Sequence, residues 1–385
     1  MSGFENKPWK KFCVQISDLM RVQGNYENNF LPIKNLFKEY LREEDEGASF
    51  SVVKNQKILV NIFGKSVNLD NAWNENTIVN TFSLSKGIYC GCLLKLLDKK
   101  EIDIDKEISF YWKKFGNANK KNITLRHVLS HQSGVYRFKT KVSNEDLLDW
   151  EKINTLLENQ EPDHIPGKFN FYHAKTHGYI ICNVIKLVTG LDIDDFLHQE
   201  VIKDKKFNFY FKNNNNRNCY DLICPEVSNK IKNYDELTTF NNPSHDINFF
   251  NSKNFRKGIV PSLGGHGSAL AIASFFDFLA NDLKNDTHNI IKKNTFEMLL
   301  KQTSNKIDNN LKMNIKWTHC GLILRGGWMF GKNKDSFGHN GWGGSIGFAD
   351  PKEGIGISFI TRKINPTMGS DARGVNLIKK LYELL

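Results

Sequence analysis

The sequence lacks any apolar run of the ~18 residues that a membrane-spanning helix requires, which argues against an integral helical membrane protein. Its first eleven residues, Met1 to Lys11, contain no apolar core of the kind a secretory signal carries, so the reading is a soluble protein kept in the cytoplasm. The seven cysteines (Cys13, Cys90, Cys92, Cys182, Cys219, Cys224 and Cys320) are odd in number, scattered, and form no C-x-x-C pair. That argues against a disulfide framework and against a thiolate metal site. Cys90, Cys92 and Cys182 fall in apolar helical runs and read as packed free thiols, as suits a reducing compartment. The net charge is +11, but no basic cluster is interleaved with stacking aromatics, so no nucleic-acid partner is expected. No internal repeat is present. Nothing in the chain speaks to oligomeric state.

What is present is enough apolar material, 40% of 385 residues, for one large domain or two ordinary ones. Residues 14–45 read as one or two amphipathic helices, with Ile33, Leu36, Phe37, Tyr40 and Leu41 on one face. Ala48–Val53 and Ile58–Phe63 read as strands joined by a turn at 54–57, and Thr77–Thr81 as a shorter one. Helices are expected at Leu125–His131 behind Thr124 as cap, at 140–160, from Thr176 to a stop at Gly190, and at Ala269–Leu279. Asn213 to Asn216 read as a surface loop. Strands return at Gly321–Leu324, Trp328–Phe330, Ser345–Ala349 and Gly356–Thr361, and Gly374–Leu385 closes as a helix. The class expected is α+β. An antiparallel sheet, drawn from both ends of the chain and flanked by N- and C-terminal helices, carries a mostly helical insertion. The division predicted is residues 1–95 plus 312–385 for the sheet domain and 96–311 for the insert, with the active site at their junction.

The chemistry centres on Thr81-Phe82-Ser83-Leu84-Ser85-Lys86-Gly87, which opens a strongly apolar helical run. Residues three apart on a helix share a face, so Ser83 and Lys86 are neighbours. A helix start favours developing negative charge. Serine is a weak nucleophile until a base takes its proton, and a buried lysine with a lowered pKa can be that base. Alone, the same pattern also fits a helix cap followed by a solvated lysine.

Four further stretches stand in order behind it. They are Thr124 to Gly134, with Arg126, His127, Ser130, His131, Gln132 and Ser133; Pro166-Gly167 followed by Tyr172-His173-Ala174, Thr176 and Gly178; Gly265-His266-Gly267-Ser268-Ala269; and Phe337 to Ser345, running on to Asp350-Pro351. With Ser83 and Lys86, this set resembles the class C β-lactamase-related serine hydrolases, and within them the family VIII carboxylesterases, over roughly residues 45–380. The resemblance implies a β-lactamase/transpeptidase-like fold with Ser83 as nucleophile and Lys86 as its paired lysine. It implies that Tyr172 shares the base and later the acid role, with Lys86 the cation that would lower its pKa. It aligns His339-Asn340-Gly341 with the Lys-Thr-Gly triplet on the edge strand beside the site. It implies an oxyanion hole formed by the backbone N–H groups of Ser83 and Trp342.

Two positions depart from the pattern. Ala174 stands where the family has an asparagine that orients the lysine, and His339 replaces the triplet's lysine. Both are closer to the esterase branch than to antibiotic-cleaving members. A Gly-x-Ser-x-Gly match at Gly343 to Gly347 is set aside, because that elbow needs a strand-to-helix turn and Ser345 runs into a strand. His127 and His131, four apart, lack a third ligand and read as structural, and His266 reads as shaping a buried turn. The expectation is therefore a cofactor-free, metal-free serine hydrolase acting on a small-molecule ester. A β-lactamase or D-amino/D,D-peptidase-type amide hydrolase is the alternative, and a catalytically idle scaffold is the rival of another class.

Overall fold

The computed structural model describes residues 22–43, 47–65, 73–204, 206–214, 218–224, 238–365 and 371–385. Its centre is a nine-stranded antiparallel sheet. The strand order is Val22–Tyr26, Lys57–Gly64, Ala48–Lys54, Ile355–Thr361, Ile346–Asp350, Phe337–Asn340, Ile323–Leu324, Lys316–Thr318 and Gln302–Ser304. The two separated segments expected to share a sheet do so: Ala48–Lys54 pairs along its whole length with Ile355–Thr361. The hairpin between Ala48–Lys54 and Lys57–Gly64 turns on Asn55 and Gln56, at φ 49° and 63°. Two positive φ values suit a tight turn whose twist matches that of the strands. Asp277 fixes this turn, its carboxylate accepting the N–H groups of Asn55 and Gln56 at 2.9 and 2.8 Å.

Side chains alternate across the strands and so split the core in two. Phe50, Val52, Ile357 and Phe359 point to the face covered by the Leu31–Glu43 and Ala372–Leu384 helices, through Ile33, Phe37, Leu377 and Leu381. The opposite face carries small residues and receives the Ala269–Lys284 helix at close range. A Cβ on Gly356 would lie 2.0 Å from the Ala273 carbonyl oxygen, and one on Gly347 would lie 2.6 Å from Ile272 Cγ2. That helix and the Gln302–Ser304 strand both come from the 96–311 stretch, so this stretch contributes to the sheet layer as well as to the helical one. Around the buried Ser85–Asp98 helix, the second core gathers Leu125, Val128, Ile180, Ile181 and Phe275.

Several local expectations change. Val22–Tyr26 lies within the stretch read as helical but forms an edge strand on Lys57–Gly64; the rest of that stretch before residue 22, and Cys13, lie outside the described residues. Asn213, read as part of a surface loop, is buried and donates its N–H to the Arg256 carbonyl at 2.6 Å, while Asn214 is exposed and Asn215 and Asn216 lie outside the described residues. Trp328–Phe330 forms a turn, not a strand. The strand carrying His339 is interior, because Ile323–Leu324, Lys316–Thr318 and Gln302–Ser304 extend the sheet beyond it. His266 sits on the middle strand of a small second sheet, between Val79–Asn80 and Phe209–Tyr210. Among the described residues no helix is long and apolar enough to cross a membrane.

Candidate active site

The Ser85–Asp98 helix is preceded by a 3-10 turn, Phe82–Leu84, and Ser83 lies on that turn two residues before the regular helix. Phe82 is held at φ 47°, a region that a bulky side chain occupies only when its surroundings enforce it. The enforcement is visible. The Asn80 side chain accepts the Phe82 N–H at 2.8 Å, and the Phe82 ring is buried edge-on against Phe250 and Trp342, each 5.0 Å away. Thr81 donates both its N–H and its hydroxyl to the Gly265 carbonyl, at 2.8 and 2.9 Å. Gly265 in turn donates its N–H to Ser85 Oγ at 2.9 Å. The Gly265-containing motif thus braces the serine turn from behind, and a Cβ there would lie 2.4 Å from Ser85 Oγ.

Lys86 is fully buried, with Nζ 3.1 Å from Ser83 Oγ. The same nitrogen donates to the backbone carbonyls of Ala174 and Ser262, at 3.0 and 3.2 Å. Burial holds this amine well below the ordinary lysine range, and the positive charge of Lys175 pushes it further down. A neutral amine has two N–H bonds and one lone pair. With both N–H bonds taken by the two carbonyls, the lone pair is left for the serine hydroxyl.

Tyr172 arrives from the loop before the Thr176–Thr189 helix and is almost fully buried. Its backbone is clamped on both sides, with its N–H donated to Asp308 at 3.1 Å and its carbonyl accepting the Asn310 amide at 2.9 Å. Its ring lies between Trp317 at 6.0 Å and Phe240 at 6.3 Å, and Lys86 Nζ is 5.1 Å from the ring centre. Burial pushes the phenol well above its usual range, opposed by a hydrogen bond with Ser83 and by the charge of Arg325. The directions on Lys86 and Tyr172 describe a neutral amine beside a protonated phenol. This differs from the expected lysine cation stabilising a phenolate, because burial disfavours both charged forms.

His339 is buried beneath this group and kept neutral, its imidazole pushed down to about 3 by burial. Its Nδ1–H donates to the Asn340 carbonyl at 2.7 Å, which leaves Nε2 as a buried acceptor with no partner among the described residues. The fixed positive charge of the aligned triplet is therefore absent at this position. Gly341 abuts the serine turn so closely that a Cβ would lie 2.0 Å from the Thr81 carbonyl oxygen, and its own N–H is committed to Ser345 at 2.7 Å. The N–H groups of Ser83 and Trp342 have no hydrogen-bond partner among the described residues. The Trp342 ring is stacked on His245 at 4.8 Å.

The structure thus brings Ser83, Lys86, Tyr172, His339, Gly341 and Trp342 together. It keeps the other motif residues behind them. The His127 side chain completes the cap of its own short helix with Thr124. His131 Nδ1 accepts the His173 N–H at 3.0 Å, and its ring packs 4.1 Å from Trp317 and 4.7 Å from His177. Among the described residues no group of three or more His, Cys, Asp or Glu side chains is arranged to hold a metal ion. Ser345 is buried at the start of the Ile346–Asp350 strand, with no helix after it, so the elbow geometry is not built there. Cys90, Cys92 and Cys182 are buried free thiols, each raised by burial. Sequence reasoning missed Ser262, Lys175 and Arg325. Ser262 contributes a backbone carbonyl, which leaves no mark in sequence, and the two cations are distinguished only by what surrounds them.

A family model described as Beta-lactamase matches residues 33–379. The chain belongs to the beta-lactamase family. It is a serine hydrolase of that fold. The esterase/beta-lactamase LipL of Mycobacterium tuberculosis is 25% identical over 325 residues, covering 78% of this chain and 73% of that protein. A crystal structure of a family VIII carboxylesterase superposes with a TM-score of 0.87 at 27% identity, covering 94% of this chain and 100% of the other. A penicillin-binding protein homologue from Caulobacter crescentus shares the fold, with a TM-score of 0.85 at 22% identity over 94% of this chain and 100% of that one.

Proposed function

We propose that the protein hydrolyses small carboxylic esters through an acyl-enzyme on Ser83, with Lys86 as base and Tyr172 as acid. The observation that carries this reading is the coordination of Lys86 Nζ: two backbone carbonyls occupy its N–H bonds, and Ser83 Oγ lies 3.1 Å away. In acylation Ser83 Oγ attacks the ester carbonyl carbon and its proton passes to Lys86. The N–H groups of Ser83 and Trp342 meet the developing oxyanion, where a single donor contributes about 10²–10³ in rate. The tetrahedral intermediate collapses with cleavage of the bond to the alkoxy oxygen. Tyr172 gives its proton to that oxygen and recovers one from Lys86. Water then adds to the acyl carbon, its proton passing to the same groups, and the carboxylic acid leaves as Ser83 is reprotonated.

Ester rather than amide substrates are supported by the 27% identical family VIII carboxylesterase and by Ala174, which offers no side-chain amide to hold a substrate amide. The test is turnover of p-nitrophenyl esters from acetate to octanoate by wild type and Ser83→Ala, with intact-mass detection of the acyl adduct. Activity and adduct are expected to vanish together in Ser83→Ala. Activity that survives the substitution would overturn the mechanism.

A further inference from the structure

Eleven large apolar side chains stay exposed among the described residues, and five of them fall in three short stretches: Ile165 and Phe169, Ile307 and Met313, and Trp328. Single exposed apolar residues need no explanation, whereas a contiguous group marks an interaction surface. This group is contiguous. Asn170 pairs with Asp308 in a parallel bridge, and the Asn309 N–H donates to the Asn170 carbonyl at 2.8 Å. That seats the small hairpin of Ile307–Asp308 and Met313–Asn314 against the loop that carries Ile165 and Phe169. Lys306 Nζ donates to the Lys168 carbonyl at 3.2 Å across the same seam. On the second strand of the hairpin, Met313 Sδ accepts from Arg325 at 3.0 Å, and the Arg325 guanidinium lies 4.9 Å from the Trp328 ring. The hairpin also supports the active site, since Asp308 and Asn310 clamp the backbone of Tyr172.

The charge of this patch has one sign. Residues 164–169, 305–314 and 325–328 carry Lys168, Lys306, Lys312 and Arg325 against a single carboxylate, Asp308. Asp308 is buried and spent on the N–H groups of Tyr172, Asn310 and Leu311. Just upstream, Asp163 is taken by Arg137 and Lys139. Among the described residues none of the four cations has a carboxylate partner. Lysine is depleted from protein interfaces, and a polyanion alone gains nothing from Ile165 and Ile307, which are 70% and 64% exposed. A lipid surface uses both features. Apolar tips enter the acyl boundary, a tryptophan settles at the headgroup level, and lysine stems reach out to anionic headgroups.

We propose that this patch docks the protein on an anionic lipid surface, its five apolar side chains entering the lipid and its four cations meeting the headgroups. The hairpin that fixes Tyr172 then lies against the lipid. Docking needs no turnover, so its test is independent of the esterase reading.

The experiment sediments the protein with vesicles of phosphatidylcholine alone and of phosphatidylcholine mixed with phosphatidylglycerol. Wild type should partition at least tenfold more strongly onto the anionic vesicles. Removing two cations in Lys306→Gln/Lys312→Gln should weaken that partition about twenty- to thirtyfold, at roughly fivefold per cation. Ile307→Ser/Trp328→Ser should weaken it about tenfold or more, whereas Phe110→Ser, which removes an exposed apolar side chain elsewhere on the surface, should leave it unchanged. Lipids brominated on their acyl chains should quench the fluorescence of wild type, and Trp328→Phe should lose that quenching. No partition of wild type onto the anionic vesicles overturns the proposal. So does a loss caused by the lysine pair but not by the apolar pair, which would mark a site for an acidic macromolecule instead. Quenching that is equal in wild type and Trp328→Phe overturns it as well, since the patch would then lie away from the lipid.

Discussion

The carbonyl oxygen of Ala174 accepts a hydrogen bond from Lys86 Nζ at 3.0 Å. The position that lacks the family's side-chain amide therefore still orients the lysine, through its backbone. The Ser262 carbonyl does the same from the other side, and that residue is itself fixed by its hydroxyl, which accepts the Gly178 N–H at 2.8 Å. A base held by main chain is insensitive to which side chain occupies position 174. It depends instead on the Tyr172 loop and the Ser262 turn staying in place.

Lys86→Met tests the base. Removing a positioned general base costs about 10²–10⁴ in rate. Because burial holds the folded-state pKa far below the ordinary lysine value, the working form is the neutral amine. Wild-type ester turnover should fall on the acid side as the amine protonates, with a midpoint well below the ordinary lysine range. The residual turnover of Lys86→Met should lack that acid limb. A pH–rate profile for both proteins checks this, and an acid limb that persists in the variant would assign it to another group.

Tyr172→Phe separates the acid role from general damage. A p-nitrophenolate leaves without a proton, whereas an alkoxide requires one. The variant should lose about 10²–10⁴ in kcat on alkyl esters and distinctly less on p-nitrophenyl esters. Equal losses on both classes would show that the phenol does not deliver the leaving-group proton.

How much of this was legible beforehand follows from chain distance. Ser83 and Lys86 are three residues apart, so their proximity follows from helical geometry alone. Tyr172, His339 and Trp342 were found only through the resemblance, since nothing local distinguishes a loop tyrosine that will meet a serine 89 positions earlier. Arg325 and Lys175 were missed because a cation's importance lies in the oxygen partners it has or lacks, which only the fold reveals. Val22–Tyr26 has few apolar residues to betray a strand, and it pairs through its backbone. Its register puts Gly24 where a Cβ would lie 2.0 Å from the Asn61 carbonyl oxygen. Trp328–Phe330 has the composition of a strand but is held in a turn, with Phe330 stacked on Phe348 at 5.2 Å.

Gly341→Ala probes the contact between the sheet and the serine turn. The added methyl would lie 2.0 Å from a backbone oxygen of Thr81, and neither strand nor turn has a flexible end to move aside. Overpacking of this kind costs about 1–3 kcal/mol. The thermal midpoint should fall, and kcat should fall more than KM rises, because the displaced group is the Trp342 N–H rather than a ground-state contact. Unchanged kcat with a lowered midpoint would remove Trp342 from the oxyanion site.

Lys175, the neighbour of Ala174, supplies a linkage test read from stability rather than from turnover. It is buried, donates to the Thr239 and Phe240 carbonyls at 2.7 and 3.3 Å, and is pushed down to about 7 by burial. The unfolded chain titrates this lysine near the ordinary value of about 10.4. Between these two values the unfolded state binds a proton that the folded state does not, so this lysine makes stability rise with pH across that window. Below about 7 both states are protonated and the penalty is constant. Replacing it by methionine should therefore remove a slope approaching ~1.4 kcal/mol per pH unit. Urea unfolding of wild type and Lys175→Met at pH 6.5 and 9.5 measures it. The stability of the variant relative to wild type should be greatest at the lower pH and shrink at the higher one. Parallel behaviour at the two pH values would mean that Lys175 stays charged in the folded protein, and that the Thr239 and Phe240 carbonyls offset its burial.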